Sequence, residues 1–505
     1  MNSFLIYLGL FLVIGFTLYC LVPKKYRYLV LLILSVAFNF IYNSLSGIYI
    51  LITSTSVYLL GLYKLKEDEN RKKLVSNLSL SERKIINKKS RQKQKIMLTV
   101  IISLNLMILF VLKYFNFVSS IIVDKPLIKI ILPLGISYYT LMAISYAIDV
   151  INGKYQANRN PFKVMLYICY FPSLLEGPIN RFDEIIDDLT KGEVKTSNIW
   201  QGLYRIVFGL FKILIVANRL GMIVSEGFKN EYYGLNIVIL ALSFTLQLYC
   251  EFSGYIDVTL GVSKVFGITL SENFDRPFIS QNVSEFWRRW HISLGRFFKD
   301  YVFFPLTMTN KAMKLTLNNT TLGKIMRFFY FSSVLFLIWF LTGLWHGASV
   351  KYIVYGLYYF LIMIMEQILA KPCKLLLTKL NISSDNRFIV LLNQSRTFIL
   401  VMIGMLLFRA SDLTNFIHLM NNLFVFDNSF SLLNAIDYQE MIVLIMGIIV
   451  LIISLLFKRY QFSNYVINQQ YVIKFSCIVI FVIIIIIFGV YGKGYLPPDP
   501  IYGGF

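Results

Sequence analysis

Apolar runs of about 18 or more residues recur along the whole chain, each long enough to cross a bilayer. Between them the charged residues gather in short stretches. A chain written this way has one way to satisfy its backbone at membrane depth without closing a barrel, which is a bundle of helices. Runs are predicted at about 3–22, 28–44, 46–63, 97–115, 129–150, 199–223, 235–250, 252–268, 327–345, 350–369, 389–408, 440–457 and 472–491. Composition agrees: 57% of the 505 residues are hydrophobic and only 15% are charged, where soluble domains carry about 25% charged residues. The fold class read from this pattern is an all-α polytopic membrane protein, multi-pass in the cell membrane, with the lipid bilayer as its first partner.

Charge sets the orientation. The net charge of +22 could suggest nucleic acid, but no nucleic-acid-binding motif accompanies it. The basic residues instead follow the bias of cytoplasmic loops. The strongest marker is the basic loop at 64–96, with Arg71, Lys72, Lys73, Lys88, Lys89 and Arg91. Counting outward from it puts Lys24–Arg27, Asn152–Arg159, Lys371–Lys379 and Lys458–Arg459 inside as well. Both termini then fall outside, including an extracellular tail at 492–505. Met1–Cys20 lacks a basic flank and a small-residue cleavage site, so it reads as a first spanning helix rather than a leader. The five cysteines are scattered with no Cys-x-x-Cys pair, which points to neither a disulfide framework nor a zinc site. No internal repeat and no sizeable soluble domain is visible, so 1–505 reads as one membrane domain.

Two stretches break the pattern. Tyr170-Phe-Pro-Ser-Leu-Leu-Glu-Gly-Pro178, within 161–182, is too short and too rich in Pro and Gly to span, and reads as re-entrant. Residues 284–306 form an amphipathic stretch, expected as one helix. Trp287, His291, Leu294 and Phe298 share one face there, and Arg288, Arg296 and Lys299 another. Such a helix can lie at the interface with its basic face toward headgroups.

Ionisable residues inside apolar runs are costly and mark functional positions. His346, one of three histidines, ends the helix predicted at 327–348. It is either a packing histidine, with Gly343 and Gly347 forming a small-residue face, or a catalytic one. Asp149, Glu176, Glu251 and Asp257 read as anchors within the bundle. Arg276 is expected to pair with a carboxylate or a loop carbonyl, and His418 reads as structural. No Walker loop, zincin motif or nucleophile elbow is present. Two histidines without a metal-ligand cluster suit proton transfer better than metal binding.

Several stretches in order carry a family likeness. They are Phe286-Trp-Arg-Arg-Trp-His291, Arg296–Pro305, Gly343-Leu-Trp-His-Gly-Ala348, Leu132–Tyr139, Phe171–Arg181, Glu251–Asp257, Asn273-Phe-Asp-Arg-Pro-Phe278 and Leu407-Phe-Arg-Ala410. Together they resemble the membrane-bound O-acyltransferase family, and within it the bacterial branch concerned with alginate O-acetylation. The resemblance implies a ring of about 11 transmembrane helices, plus re-entrant and interfacial helices, around a central tunnel. It implies His346 and His291 as catalytic, with Trp287, Trp290, Trp345, Asp257 and Arg276 lining or supporting the tunnel. It also implies acetyl-CoA as a cytoplasmic donor without a metal, and O-acetylation of an exported polysaccharide, cellulose- or alginate-like. The expected partner is an extracellular acetyltransferase of SGNH type or a polysaccharide synthase complex. The tail, ending Ile501-Tyr-Gly-Gly-Phe505, resembles an aromatic terminal motif of the branch and nominates Tyr502 as an acyl acceptor. Glu251 stands where the branch has Asp, and Leu306–Asn310 lacks its Gly-Gly, so alginate itself is not implied. D-alanyl transfer to teichoic acid is the alternative in the same fold. A proton-coupled transporter is the alternative outside it, against which stands the missing repeat.

Overall fold

The computed structural model describes residues 2–75, 78–123, 132–317, 320–427, 429–456 and 469–491. Helix is the secondary structure of these residues apart from one isolated antiparallel bridge, Phe274 to Trp290. Among the described residues nine helices are long and apolar enough to cross a membrane. The tail at 492–505, Tyr502 included, lies outside the described residues.

The chain forms two compact units. Among the described residues, one comprises those up to Ile206 with Val258–Ser271; the other comprises Val207–Asp257 with those from Glu272 to Tyr491. In the first unit the expected basic loop is not a loop. Ser44–Val75 and Leu80–Val123 are continuous helices that carry their spans on into the charged region. Its Lys, Glu, Arg and Gln residues are good helix formers. The two arms are also tied together: Asp68 pairs with Lys64 and Arg71 on its own helix and accepts a hydrogen bond from Gln94 on the other, at 3.0 Å. The stretch expected to be re-entrant is three short pieces, helices Pro161–Cys169 and Phe171–Leu175 followed by a buried coil through Arg181.

The second unit corrects two boundaries. The runs at 235–250 and 252–268 are one helix, Leu235–Val265. Glu251 and Gly254 do not stop it, because no proline removes a backbone donor. The amphipathic stretch, by contrast, is broken where a single helix was expected. Val283–Arg289 ends at Trp290, which is extended, and Ile292–Phe298 begins after His291, at φ 48° and ψ 50°. The cause lies in the preceding segment. Asp275 N–H donates to the Arg289 carbonyl at 2.9 Å, and Ile292 N–H to the Asn273 carbonyl at 3.0 Å. These two bonds flank the Phe274–Trp290 bridge and hold the chain extended where helix would otherwise continue. Of the four residues predicted to share one face, Trp287 therefore sits on the first helix, Leu294 and Phe298 on the second, and His291 at the break between them.

Candidate active site

His291 and His346 are each held at the end of a helix rather than on its side. His346 is the last residue of Thr321–His346, which packs closely against Val350–Lys379. A Cβ on Gly343 would fall on the Tyr352 carbonyl oxygen, and one on Gly356 on that of Trp339. Gly343 and Gly347, the two read as a packing face, both lie against Tyr352, since a Cβ on Gly347 would fall on its ring. They also bring Tyr355 and its neighbours up to the imidazole. The His346 ring is 2% exposed and lies 5.0 Å from Trp345, 5.3 Å from Phe408 and 5.7 Å from Tyr355, centroid to centroid.

His291 is equally buried. Its ring stands 5.0 Å from Phe252 and 5.5 Å from Trp345, edge to face in both cases. Trp345 thus touches both imidazoles. The structure brings together the two histidines that sequence reasoning paired across fifty-five residues, with one indole between them.

The hydrogen bonding of His291 settles its tautomer. Its Nδ1 lies 3.3 Å from Asn273 Oδ1, and the same oxygen accepts the Ser293 N–H at 3.0 Å. An amide oxygen can only accept, so Nδ1 carries the proton and Nε2 carries the lone pair. His291 lies outside the nine spans, and burial holds its imidazole well below the ordinary histidine range.

The other nominated residues divide. Trp287 stands 5.0 Å from Trp339, 4.8 Å from Tyr359 and 6.4 Å from Tyr355, which connects it through Tyr355 to the His346 wall. Trp290 is turned to a different cluster, Tyr249, Phe252, Phe274, Phe278 and Phe286. Phe252 links this cluster to the His291 ring. Asp257 is fully buried in an ion pair with Lys212 at 2.5 Å, and Lys212 also donates to Ser253 Oγ at 2.8 Å. That is the anchor expected of it. Arg276 pairs with its neighbour Asp275 at 3.4 Å on a backbone at φ 44°, a carboxylate as expected but outside both ring clusters.

Sequence reasoning missed Asn273, Phe252, Tyr355, Phe408 and Lys212. Lys212 carried a signal, a cation within the apolar run at 199–223, which also holds Arg205 and Arg219. Asn273 opened a motif that had been noticed without a role. The aromatic walls carried none, because 16% of the chain is aromatic. Among the described residues no group of three or more His, Cys, Asp or Glu side chains is placed to hold a metal ion.

The arrangement offers two imidazoles in an aromatic, water-poor setting, which suits proton transfer at neutral pH. Comparison with known proteins agrees in kind. The profile of the membrane-bound O-acyltransferase family matches residues 156–411, which hold both histidines. The chain is 33% identical over 289 residues to a probable alginate O-acetylase of Pseudomonas fluorescens, covering 57% of this chain and 53% of that one. It is 30% identical over 269 residues to a teichoic acid D-alanyltransferase of Bacillus subtilis, covering 50% and 64%. It is also 30% identical over 264 residues to a peptidoglycan O-acetyltransferase of Helicobacter pylori, covering 46% of each. The chain spans about half the length of the alginate relatives.

Proposed function

The chain belongs to the membrane-bound O-acyltransferase family, and from that premise we propose that it moves an acetyl group from cytoplasmic acetyl-CoA to the hydroxyl of an exported polysaccharide, cellulose- or alginate-like. The observation that carries this reading is the pair of buried imidazoles that both contact the Trp345 ring. A hydroxyl attacking a thioester must lose a proton as the carbon–oxygen bond forms, and the leaving thiolate must gain one. A neutral imidazole can do both in turn, and a positioned base contributes about 10²–10⁴ in rate. We assign that role to His346. His291 presents a lone pair at Nε2, so it suits orienting an incoming hydroxyl better than donating to an oxyanion. Trp345 spaces the two rings, and Trp287 supports the wall through Tyr355.

The similarity to teichoic acid D-alanyltransferases supports a second reading in which the acyl group is D-alanyl and the acceptor is teichoic acid. In either case an extracytoplasmic partner, such as a transferase of SGNH type or a polymer synthase complex, would complete delivery. Tyr502 would be a waystation, and an intact-mass search that finds it acylated under turnover would support that step.

The test uses cells lacking the protein, complemented with wild type or His346→Ala. Esters are released from purified surface polymers with mild alkali and the acid is identified. Acetate lost with His346→Ala supports the acetyl reading, and alanine lost supports the D-alanyl one. Unchanged esters, with the variant present in the membrane, would reject both.

A further inference from the structure

The connection between Arg387–Arg409 and Tyr438–Leu456 shows three of its four phenylalanines to the outside. Phe424 is 83% exposed, Phe426 88%, Phe430 60% and Ile417 57%. None of them lies in a candidate span. Phenylalanines displayed together off the spans mark an interaction site.

The display is held in place. Helix Leu413–Asn422 is capped by Asp412, whose Oδ1 accepts the Asn415 N–H at 2.8 Å. Beyond it the chain is fastened to the turn before Leu235–Val265. Gly234 N–H donates to the Asn422 carbonyl at 3.0 Å and Leu235 N–H to the Asp427 carbonyl at 3.1 Å. Asn236 joins Ser429 Oγ at 3.1 Å and accepts the Leu432 N–H at 3.0 Å. Gly234 has φ 54°, and a Cβ there would run into the Asp427 backbone. A segment fastened at so many points keeps its phenylalanines aimed outward before anything binds, which lowers the ordering cost of association.

Two occupants could cover such a face, a lipid leaflet or a protein. Charge decides between them. Residues 410–456 contain no Lys or Arg, while Asp412, Asp427 and Asp437 give the stretch three carboxylates besides Glu440, which pairs with Arg219. Asp427 is held below the usual carboxylate range by the Ser429 N–H, and Asp412 by that of Asn415. Segments that dock on anionic leaflets carry cations beside their apolar face, and this one carries the opposite charge. The absence of cations also places the segment across the membrane from Lys371–Lys379.

We propose that the 411–436 segment is the docking surface for a soluble extracytoplasmic protein, one with an apolar pocket for Phe424 and Phe426 and a basic rim for Asp412 and Asp427. This rests on the acyl-transfer reading and adds the place of handover. The segment leaves from Phe408, whose ring forms part of the His346 wall, with only Arg409 and Ala410 intervening. A protein seated there is close to where the acyl group would leave.

The test pairs a functional and a contact measurement. Phe424→Ser with Phe426→Ser is expected to lower surface-polymer ester roughly tenfold or more, as loss of buried aromatic anchors does. Thioester consumption by the purified variant should stay within about twofold of wild type, since neither residue touches the histidines. With Phe426→p-benzoylphenylalanine in intact cells, irradiation should give a protein adduct that Phe424→Asp abolishes. Adducts to phospholipid alone, unchanged ester, or an equal fall in thioester consumption would each overturn the proposal. Failure of the acyl-transfer reading itself looks different, because His346→Ala would then leave the esters intact as well.

Discussion

Asp257 and Lys212 show what a single charge costs at membrane depth. The pair is 2.5 Å apart and effectively without solvent. In such a place the attraction between partners is partly cancelled by the cost of desolvating each. Removing one partner leaves the other charged and buried, which typically costs about 3–5 kcal/mol, whereas replacing both with apolar residues can be nearly neutral. Asp257→Ala or Lys212→Met alone should therefore lower the unfolding midpoint of the solubilised protein sharply. Lys212→Met with Asp257→Leu should recover most of it. A single variant as stable as wild type would mean that water reaches the pair. Sequence alone pointed to Asp257 as an anchor and to His291 and His346 as a pair, because ionisable groups stand out against apolar runs. It could not supply their partners. Asn273, which fixes the His291 tautomer, is an ordinary polar residue until the fold sets it beside the ring.

At the scale of elements, periodicity located the helices and misjudged where some begin and end. Glu251 looked like a boundary because it is charged, yet a straight-chain residue costs a helix little, and Leu235–Val265 runs through it. The 284–306 stretch has helical spacing throughout, and what breaks it is long-range. The bonds from Asn273 and Asp275 join residues more than ten positions away, which no local pattern can reveal. The glycines of the Thr321–His346 and Val350–Lys379 pair were legible in kind, since small residues let membrane helices approach. Their partners were not. Gly343→Val should push these helices apart at Tyr352 and shift His346 against Tyr355. The expected outcome is loss of acyl transfer, roughly 10²-fold for a displacement near 1 Å, with the protein still inserted. Unaltered transfer at wild-type expression would show that the spacing of this pair does not set the imidazole's position.

Across the whole molecule the charge pattern makes one further commitment, which is which side each connection faces. Residues 64–95 hold twelve Lys and Arg against four Asp and Glu, a net of +8, while 410–456 hold none against four, a net of −4. Cytoplasmic connections collect Lys and Arg, so the charge pattern predicts opposite faces of the membrane for these two. The structure leaves both open to reagents, since Lys88 and Ser429 are exposed. With the five native cysteines replaced, Ser429→Cys should react with a membrane-impermeant maleimide in intact cells. Lys88→Cys should react only after permeabilisation. The reverse pattern would invert the molecule, placing the 411–436 segment in the cytoplasm and removing the basis for an extracytoplasmic handover. Labelling of both in intact cells would mean that charge does not orient this chain, and the sidedness of donor and acceptor would have to be established separately.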